Sequence, residues 1–547
     1  MGHRFPSVIL ALTFAVVLLP RPADAELLSP EAPIADAIDH YVDARLNADG
    51  ITRAEPATES VFLRRISLDL AGRIPTLYEA QSYVADEQSD KRVRLVDSLL
   101  AGPDFAYHQR NELDALLLAR LKNDDAWRAY LLTATRENRS WGQLFREMMT
   151  SRDESAEKKN PALEFLRSRS QNVEEMANDT SALFFGVTIN CAKCHDHPLV
   201  DDWKQDHFYG MTSFFSRTYV TKKQTLAERR SGKVTFKTTS GEEKKARFMF
   251  LSGASLEEPL RETTPEQLKA EEAEYKRQRE DANAPLPDAP EFSPRAKLVE
   301  MALQSENSGF FSRSIVNRVW KRFLGLGLVD PPDQMHSGNE ASHPELMQWL
   351  ARDFVSHNYD LKRLIRGIVL SNAYSRTSSW QGEGEPPTDD YFGVAVTRPC
   401  SPRQYSLSLR IASTNPEAWP TSLMSEDWAS MRESLETKST EFAGQIELAG
   451  ENFMVSVDEA LLLSNGEQVQ TQFLNEADDG LVGHLQTIEA VGELIDKAFW
   501  AVLTRAPSEE EQQVFQQYLK DRQDRRTEGI KQLVWVLISS PEMRFNH

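Results

Sequence analysis

A chain of 547 residues, 40% of them hydrophobic and 27% charged, is long enough for two or three domains with cores of their own. Its formal charge of −20 repels nucleic-acid phosphates and anionic lipid headgroups, which excludes both as general partners. Only three cysteines are present, Cys191, Cys194 and Cys400, too few for an exported scaffold built on disulfides.

Residues 1–25 read as a cleaved leader. Arg4 precedes an almost unbroken apolar run over residues 8–19, and Ala23-Asp24-Ala25 forms a small-x-small cleavage site. Cleavage after Ala25 predicts a periplasmic or secreted protein starting at Glu26, with a charge of −21 once Arg4, Arg21 and Asp24 are gone. The competing reading is an uncleaved anchor. The run is short for a bilayer, and no later stretch is apolar over such a length, so no stable membrane insertion is expected after cleavage.

Residues 60–121 read as successive short helices. Val61, Phe62, Ile66 and Leu70 fall at helical spacing, Gly72 and Pro75 end that helix, and Thr76-Leu77-Tyr78-Glu79 is a capping box opening the next. Helical patterns follow over 93–100, 127–135 and 141–149, and over 178–189 leading directly into Cys191. The character changes after Phe215. Residues 233–239 alternate and are rich in β-branched side chains, Ser240-Gly241 is a turn, and residues 246–251 are expected to pair back as a hairpin. Residues 262–295 are charged and then proline-rich, an exposed helix followed by a linker. A second helical unit follows with amphipathic spacing over 296–303, 311–323, 344–356, 361–371, 491–503, 508–521 and 529–539, and a loop near 475–479. The expected fold is mainly α: a helical domain over 36–220, a β-hairpin element and charged linker over 221–295, and a helical C-terminal domain over 296–547.

The sharpest chemical feature is Cys191-Ala192-Lys193-Cys194-His195. Two thiols two residues apart on a helical turn match the two vinyl groups of a porphyrin, and the following histidine is placed to ligate the iron, so the pattern predicts covalently attached haem c with His195 as proximal ligand. Three other readings stay open: a Cys191–Cys194 disulfide, a zinc site drawing on Cys191, Cys194, His197 and His207, and coincidence. For the sixth iron position the candidates are His207 and Met211, with His197 not easily reaching the opposite haem face from two residues beyond His195, and an open position, which would suit small-ligand chemistry, is the alternative. Phe184, Phe185, Trp203, Phe208, Tyr209, Phe214 and Phe215 suit either a haem surround or ordinary core. Cys400 reads as a buried free thiol.

The strings around this motif resemble a known family. Leu183-Phe184-Phe185-Gly186, the run from Cys191 to Pro198, Trp203, Gln205, Phe208-Tyr209-Gly210 and Phe214-Phe215 are similar to the planctomycete cytochrome-C-like domain, domain of unknown function 1549. The string from Arg64-Arg65 to Ile74-Pro75, and Lys91-Arg92 with Leu95-Val96-Asp97, fit the same family. Residues 315–320, 325–331, 342–346 and 359–365, with the closing Phe545-Asn546-His547, resemble its partner, domain of unknown function 1553. The resemblance implies a haem-binding pattern in an exported system with separate partner proteins and no assigned biochemical role. It also implies an aliphatic residue where Met211 stands, and it includes the His197 position.

Asn317, Arg318 and Trp320 share one helix, as an interdomain anchor or as a polar pocket facing the haem domain. Ser342-His343-Pro344-Glu345 reads as a helix start with a structural His343. No nucleophile elbow, phosphate loop, His-Glu-x-x-His helix or dinucleotide fingerprint is present, and nothing selects a catalytic carboxylate pair, so whether the chain is an enzyme stays open. The expected function is a single-haem c-type cytochrome-like protein passing electrons to a periplasmic partner. The alternative is a non-redox binding or assembly protein whose Cys/His cluster is a structural metal site or disulfide.

Overall fold

The computed structural model describes residues 27–119, 125–197, 200–421, 424–446 and 456–547; the expected leader lies outside them. The first helical unit comprises α1 (Ile34–Ala48), α2 (Glu59–Ala71), α3 (Leu77–Ala85), α4 (Lys91–Ala101), α5 (Pro103–Leu118), α6 (Asp125–Arg136), α7 (Trp141–Thr150), α8 (Glu164–Arg169), α9 (Val173–Phe185) and α10 (Gln205–Phe215). Local chemistry sets their ends. Thr58 caps α2 and Gly72 stops it at φ +70°, where a Cβ would sit 2.6 Å from His108 Nδ1. The capping box of α3 is present: Glu79 N donates to Thr76 Oγ1 at 3.3 Å, and Thr76 N donates to Glu79 Oε2 at 2.7 Å.

Six short strands follow: β1 (Thr218–Val220), β2 (Leu226–Glu228), β3 (Thr235–Lys237), β4 (Glu243–Lys245), β5 (Phe248–Met249) and β6 (Ser255–Leu256). They make three antiparallel hairpins, β1–β2, β3–β4 and β5–β6. This corrects the expected pairing of 233–239 with 246–251. The partner of β3 is β4, in the register Phe236↔Lys244, and only Ala246 of the expected return strand bonds back, to Val234. Phe248 and Met249 turn instead toward Leu256 and Ser255. Phe248 packs on Phe214 and Met249 lies against Gly210, both on α10, so burial of the pair outweighs continuation of the first ladder.

An exposed helix, α11 (Pro265–Glu280), carries a Thr264/Gln267 capping box and leads through a proline-rich stretch into α12 (Pro294–Ala302). Then come α13 (Ser308–Leu324), α14 (Pro344–Ser356), α15 (Leu361–Val369), α16 (Asn372–Ser375), β7 (Arg398–Pro399), α17 (Pro402–Ser413), α18 (Glu426–Ala443), α19 (Val457–Asn465), α20 (Leu481–Gln486), α21 (Val491–Leu503), α22 (Glu509–Lys520), α23 (Arg526–Ile538), α24 (Pro541–Arg544) and β8 (Phe545–Asn546). The loop expected near 475–479 lies between α19 and α20. No helix of the described residues is long and apolar enough to cross a membrane.

Two hydrophobic cores hold these elements. The larger draws on both helical units, with Ile66 and Leu70 of α2, Phe145 of α7 and Phe184 of α9 in one cluster with Phe311 and Trp320 of α13 and Trp349 of α14. The smaller is built from residues 400 onward, joined by Leu68 of α2 and Ile74. Helix α2 is therefore shared, and its Arg64, Arg65 and Asp69 are buried, which demands partners. Asp69 accepts from Arg398 Nη1 at 3.1 Å and Nη2 at 2.8 Å, from Tyr374 Oη at 2.8 Å and from Asn546 Nδ2 at 2.9 Å. Arg65 donates to the carbonyls of Tyr374 (2.6 Å), Arg376 (2.8 Å) and His547 (3.2 Å). The β7–β8 pair, in the register Arg398↔Asn546, closes this joint.

A second ionic hub lies between α5, α6, α17 and α18. Glu436 accepts from Arg110 (2.6 Å), Asn111 (2.9 Å), Arg128 (3.2 Å), Arg403 (3.3 Å) and Arg432 (2.7 Å). Burial drives its carboxyl upward, but the guanidiniums of Arg432, Arg110 and Arg403 outweigh that and hold it far below the ordinary glutamate value.

Candidate functional site

The cysteine motif sits between two helices and under a loop of the second helical unit. Helix α9 ends at Phe185, four residues short of its expected end, because Gly186 takes φ +70°. A Cβ there would lie 2.7 Å from Met335 Sδ, so glycine both turns the chain and admits the loop. Residues 187–189 then run alongside that loop. Val187 bridges Gln334, Thr188 N donates to Asp333 O at 2.8 Å, Thr188 Oγ1 donates to Asp333 Oδ2 at 2.7 Å, and Met335 N donates to Gly186 O at 3.0 Å. From behind, Asn178 Oδ1 on α9 accepts from Ile189 N at 3.2 Å.

The motif itself is a 3-10 turn over Asn190–Lys193. Ala192 is fully buried and pins the turn, whereas Cys191, Cys194 and His195 are exposed. Helix α10 holds it from below: Gln205 Nε2 donates to Lys193 O at 3.2 Å, and Gln205 N donates to Asp196 Oδ1 at 3.1 Å. Lys193 pairs with Glu174 at 2.5 Å, which together with charge attraction raises its pKa. The far side is closed again by the second unit, where Ser337 N and Oγ donate to Asp202 Oδ2 at 2.8 and 2.6 Å. Burial pushes the Asp202 carboxyl up, but these two hydrogen bonds prevail and hold it below its ordinary value.

All three cysteines are free thiols. His195 Nδ1 lies 2.7 Å from the Asp196 carbonyl oxygen, which only accepts, so the proton is on Nδ1 and Nε2 keeps its lone pair. A metal-ligating histidine characteristically donates its other nitrogen to such an acceptor. Two exposed thiols on one turn and an imidazole in this tautomer fit the attachment chemistry of a c-type haem. If one is bound, Cys191 and Cys194 hold it by thioether bonds and His195 ligates its iron; a bound haem supplies a one-electron couple.

The remaining candidates are dispersed. Met211 is fully buried on α10 in the larger core. His207 is half-buried, its Nδ1 accepts from Lys204 N at 3.1 Å, and its ring stands edge-on to Trp203 at 5.8 Å. Burial lowers its pKa. His197 donates its backbone N–H to Trp203 O, and its ring lies 6.4 Å from that of His336. Among the described residues, no group of three or more His, Cys, Asp or Glu side chains is gathered as a metal ion requires. Phe184, Phe185, Phe208, Phe214 and Phe215 are closed core, with Phe184 stacked on Trp141 at 5.3 Å and Phe185 edge-on to Phe250 at 5.0 Å. Cys400 is buried away from the motif, its thiol pushed up to about 11 by burial.

Of the other polar residues singled out, Arg318 donates to Ala182 O at 2.8 Å, an anchor between the two helical units. Asn317 closes the turn after α13 through Val329 N and O at 3.0 and 2.7 Å. His343 is the N-cap of α14, with Pro344 in its first turn; burial lowers its pKa to about 4. Residues absent from the sequence-based set are those of the loop at 333–338. The Asp330-Pro331-Pro332 and Ser337-Gly338-Asn339 runs mark a loop there, but no local signal shows where it docks.

Residues 37–219 match the family model described as PSCyt2, protein of unknown function (DUF1549), and residues 294–417 match PSD1, protein of unknown function (DUF1553). No curated protein and no solved structure matches. The loop at 333–338 lies within the second match and the cysteine motif within the first, so the site spans both. The chain is a protein of the DUF1549–DUF1553 type, carrying a PSCyt2 domain followed by a PSD1 domain.

Proposed function

We infer that this protein is an exported, single-haem, c-type cytochrome-like protein that exchanges electrons with a separate partner in the periplasm. The observation that carries the reading is the exposure of Cys191, Cys194 and His195 on one buried-anchored turn, with both thiols free and His195 Nε2 available. The cytochrome-like family name agrees with it. An exposed attachment turn leaves a haem edge accessible, which suits electron exchange with a docked protein. The test is expression of the full chain with a c-type maturation system. The expected result is a Soret band and haem that stays with the polypeptide on a denaturing gel, both lost in Cys191→Ser/Cys194→Ser. Absence of covalent haem from the wild-type chain overturns the reading.

One observation favours a second reading, a non-redox binding or assembly protein whose Cys/His cluster is structural. The aromatic residues next to the motif are packed against each other rather than around an open pocket. Stoichiometric zinc or a Cys191–Cys194 disulfide in protein purified without haem, with no loss of fold, distinguishes this reading from the first.

A further inference from the structure

The loop at 333–338 grips both flanks of the motif, through Thr188 on one side and Asp202 on the other. Between these two anchors the loop carries His336, whose ring centroid lies 6.4 Å from that of His197, two residues beyond His195. Resting on the haem reading above, we propose that His336, supplied by the PSD1 domain, is the second axial ligand of a haem held by Cys191, Cys194 and His195, so that the site is complete only when both domains are docked.

Three observations favour His336 over the candidates nearer in sequence. Met211 is fully buried in the core, and reaching the motif face would mean extracting it from α10 packing. His207 is packed into α10, its ring edge-on to Trp203 at 5.8 Å. His336 is half-buried and belongs to a loop anchored at both ends, so its position is set without being enclosed. Its Nδ1 accepts from Gly338 N at 3.2 Å, which places the proton of the neutral ring on Nε2. Ligation through Nε2 therefore uses the other tautomer: the proton leaves Nε2, Nδ1 takes one up, and the Gly338 hydrogen bond is given up for the metal bond, with no net change in charge.

The experiment is absorption and electron paramagnetic resonance spectroscopy of the full, matured chain. The expected result is a low-spin wild-type spectrum of the two-histidine kind, conversion to high-spin in His336→Ala, restoration of low-spin by added imidazole, and a methionine-type low-spin spectrum in His336→Met. Hydrogen exchange at Gly338 is expected to rise at least tenfold on going from haem-free to haem-loaded protein, which a merely structural His336 does not produce. A high-spin wild-type spectrum overturns the proposal, as does a low-spin spectrum unchanged in His336→Ala or one abolished instead by His207→Ala or Met211→Leu. Should His336→Ala fail to fold, the His336→Met spectrum decides alone. Covalent haem with an unaltered His336 variant spectrum refutes only this ligand assignment; no covalent haem at all refutes the underlying reading.

Discussion

Replacing Gly186 by alanine tests the docking of the PSD1 loop on the motif. The residue has φ +70°, and holding a non-glycine residue there costs about 1 kcal/mol. The added Cβ also lies 2.7 Å from Met335 Sδ and 3.2 Å from its Cγ. Displacing a flexible thioether by that much adds about 1 kcal/mol, the low end for overpacking. The sum, about 2 kcal/mol, is drawn from local opening of the loop, where Met335 N bonds to Gly186 O and Thr188 N to Asp333 O. At 1.36 kcal/mol per decade, exchange of those two amides should speed up about 30-fold, measured by hydrogen–deuterium exchange. In a Met335→Ala background only the backbone strain remains, so the same substitution should cost about 1 kcal/mol and speed exchange about 5-fold. If Gly186→Ala has equal effects in the two backgrounds, Met335 does not press on Gly186 and the docked-loop reasoning fails.

Haem-free native protein should take up two equivalents of a thiol alkylating agent at neutral pH, on Cys191 and Cys194, and a third at Cys400 only after denaturation, since that thiol is buried and raised to about 11. Glu436→Gln should destabilise the protein by about 3–5 kcal/mol, because it takes the carboxylate from the buried guanidinium of Arg110 and leaves that of Arg432 with Asp104 alone, and chemical denaturation measures this. The folded-state pKa of Glu436 is depressed, so its stabilisation is complete above the unfolded value of about 4.3 and is lost as pH falls below it. Glu436→Gln should therefore show a shallower acid loss of stability than wild type. Asp69→Asn removes the charge shared by Arg398, Tyr374 and Asn546, and should raise the rate of Cys400 alkylation at least tenfold, because Cys400 N bonds to Arg544 O in the same closure.

What was legible in the sequence was local. Thr76 and Glu79 announce their capping box because both partners lie within four residues, and the helix boundaries at Val491–Leu503 and Pro344–Ser356 follow from spacing and end residues. The chemistry of Cys191, Cys194 and His195 is equally local. What required tertiary structure was left out. Helical spacing around Val61 and Ile66 gives α2 one apolar face, but not the burial of its Arg65 and Asp69 side, which depends on residues 374, 398 and 546. The stop of α9 is set locally by Gly186, but that a Cβ there would meet Met335, 149 residues further on, is not visible in the sequence. The hairpin return was misplaced because alternation cannot tell β4, which is fully exposed, from Phe248 and Met249, which α10 claims. His336 carries no signature at all; only the docking of its loop brings it near the motif.

The β7–β8 pair has a consequence for how the molecule is made. Helix α2 is among the earliest segments produced, yet Asp69 and Arg65 find their last partners in residues 546 and 547. Until those residues dock, Asp69 lacks one of its hydrogen-bond donors and Arg65 one of its carbonyl acceptors, although Arg398 already neutralises the carboxylate. The joint is thus sealed from the far end of the sequence: removing residues 545–547 leaves the cysteine motif untouched but takes one hydrogen-bond partner each from the buried Asp69 and Arg65.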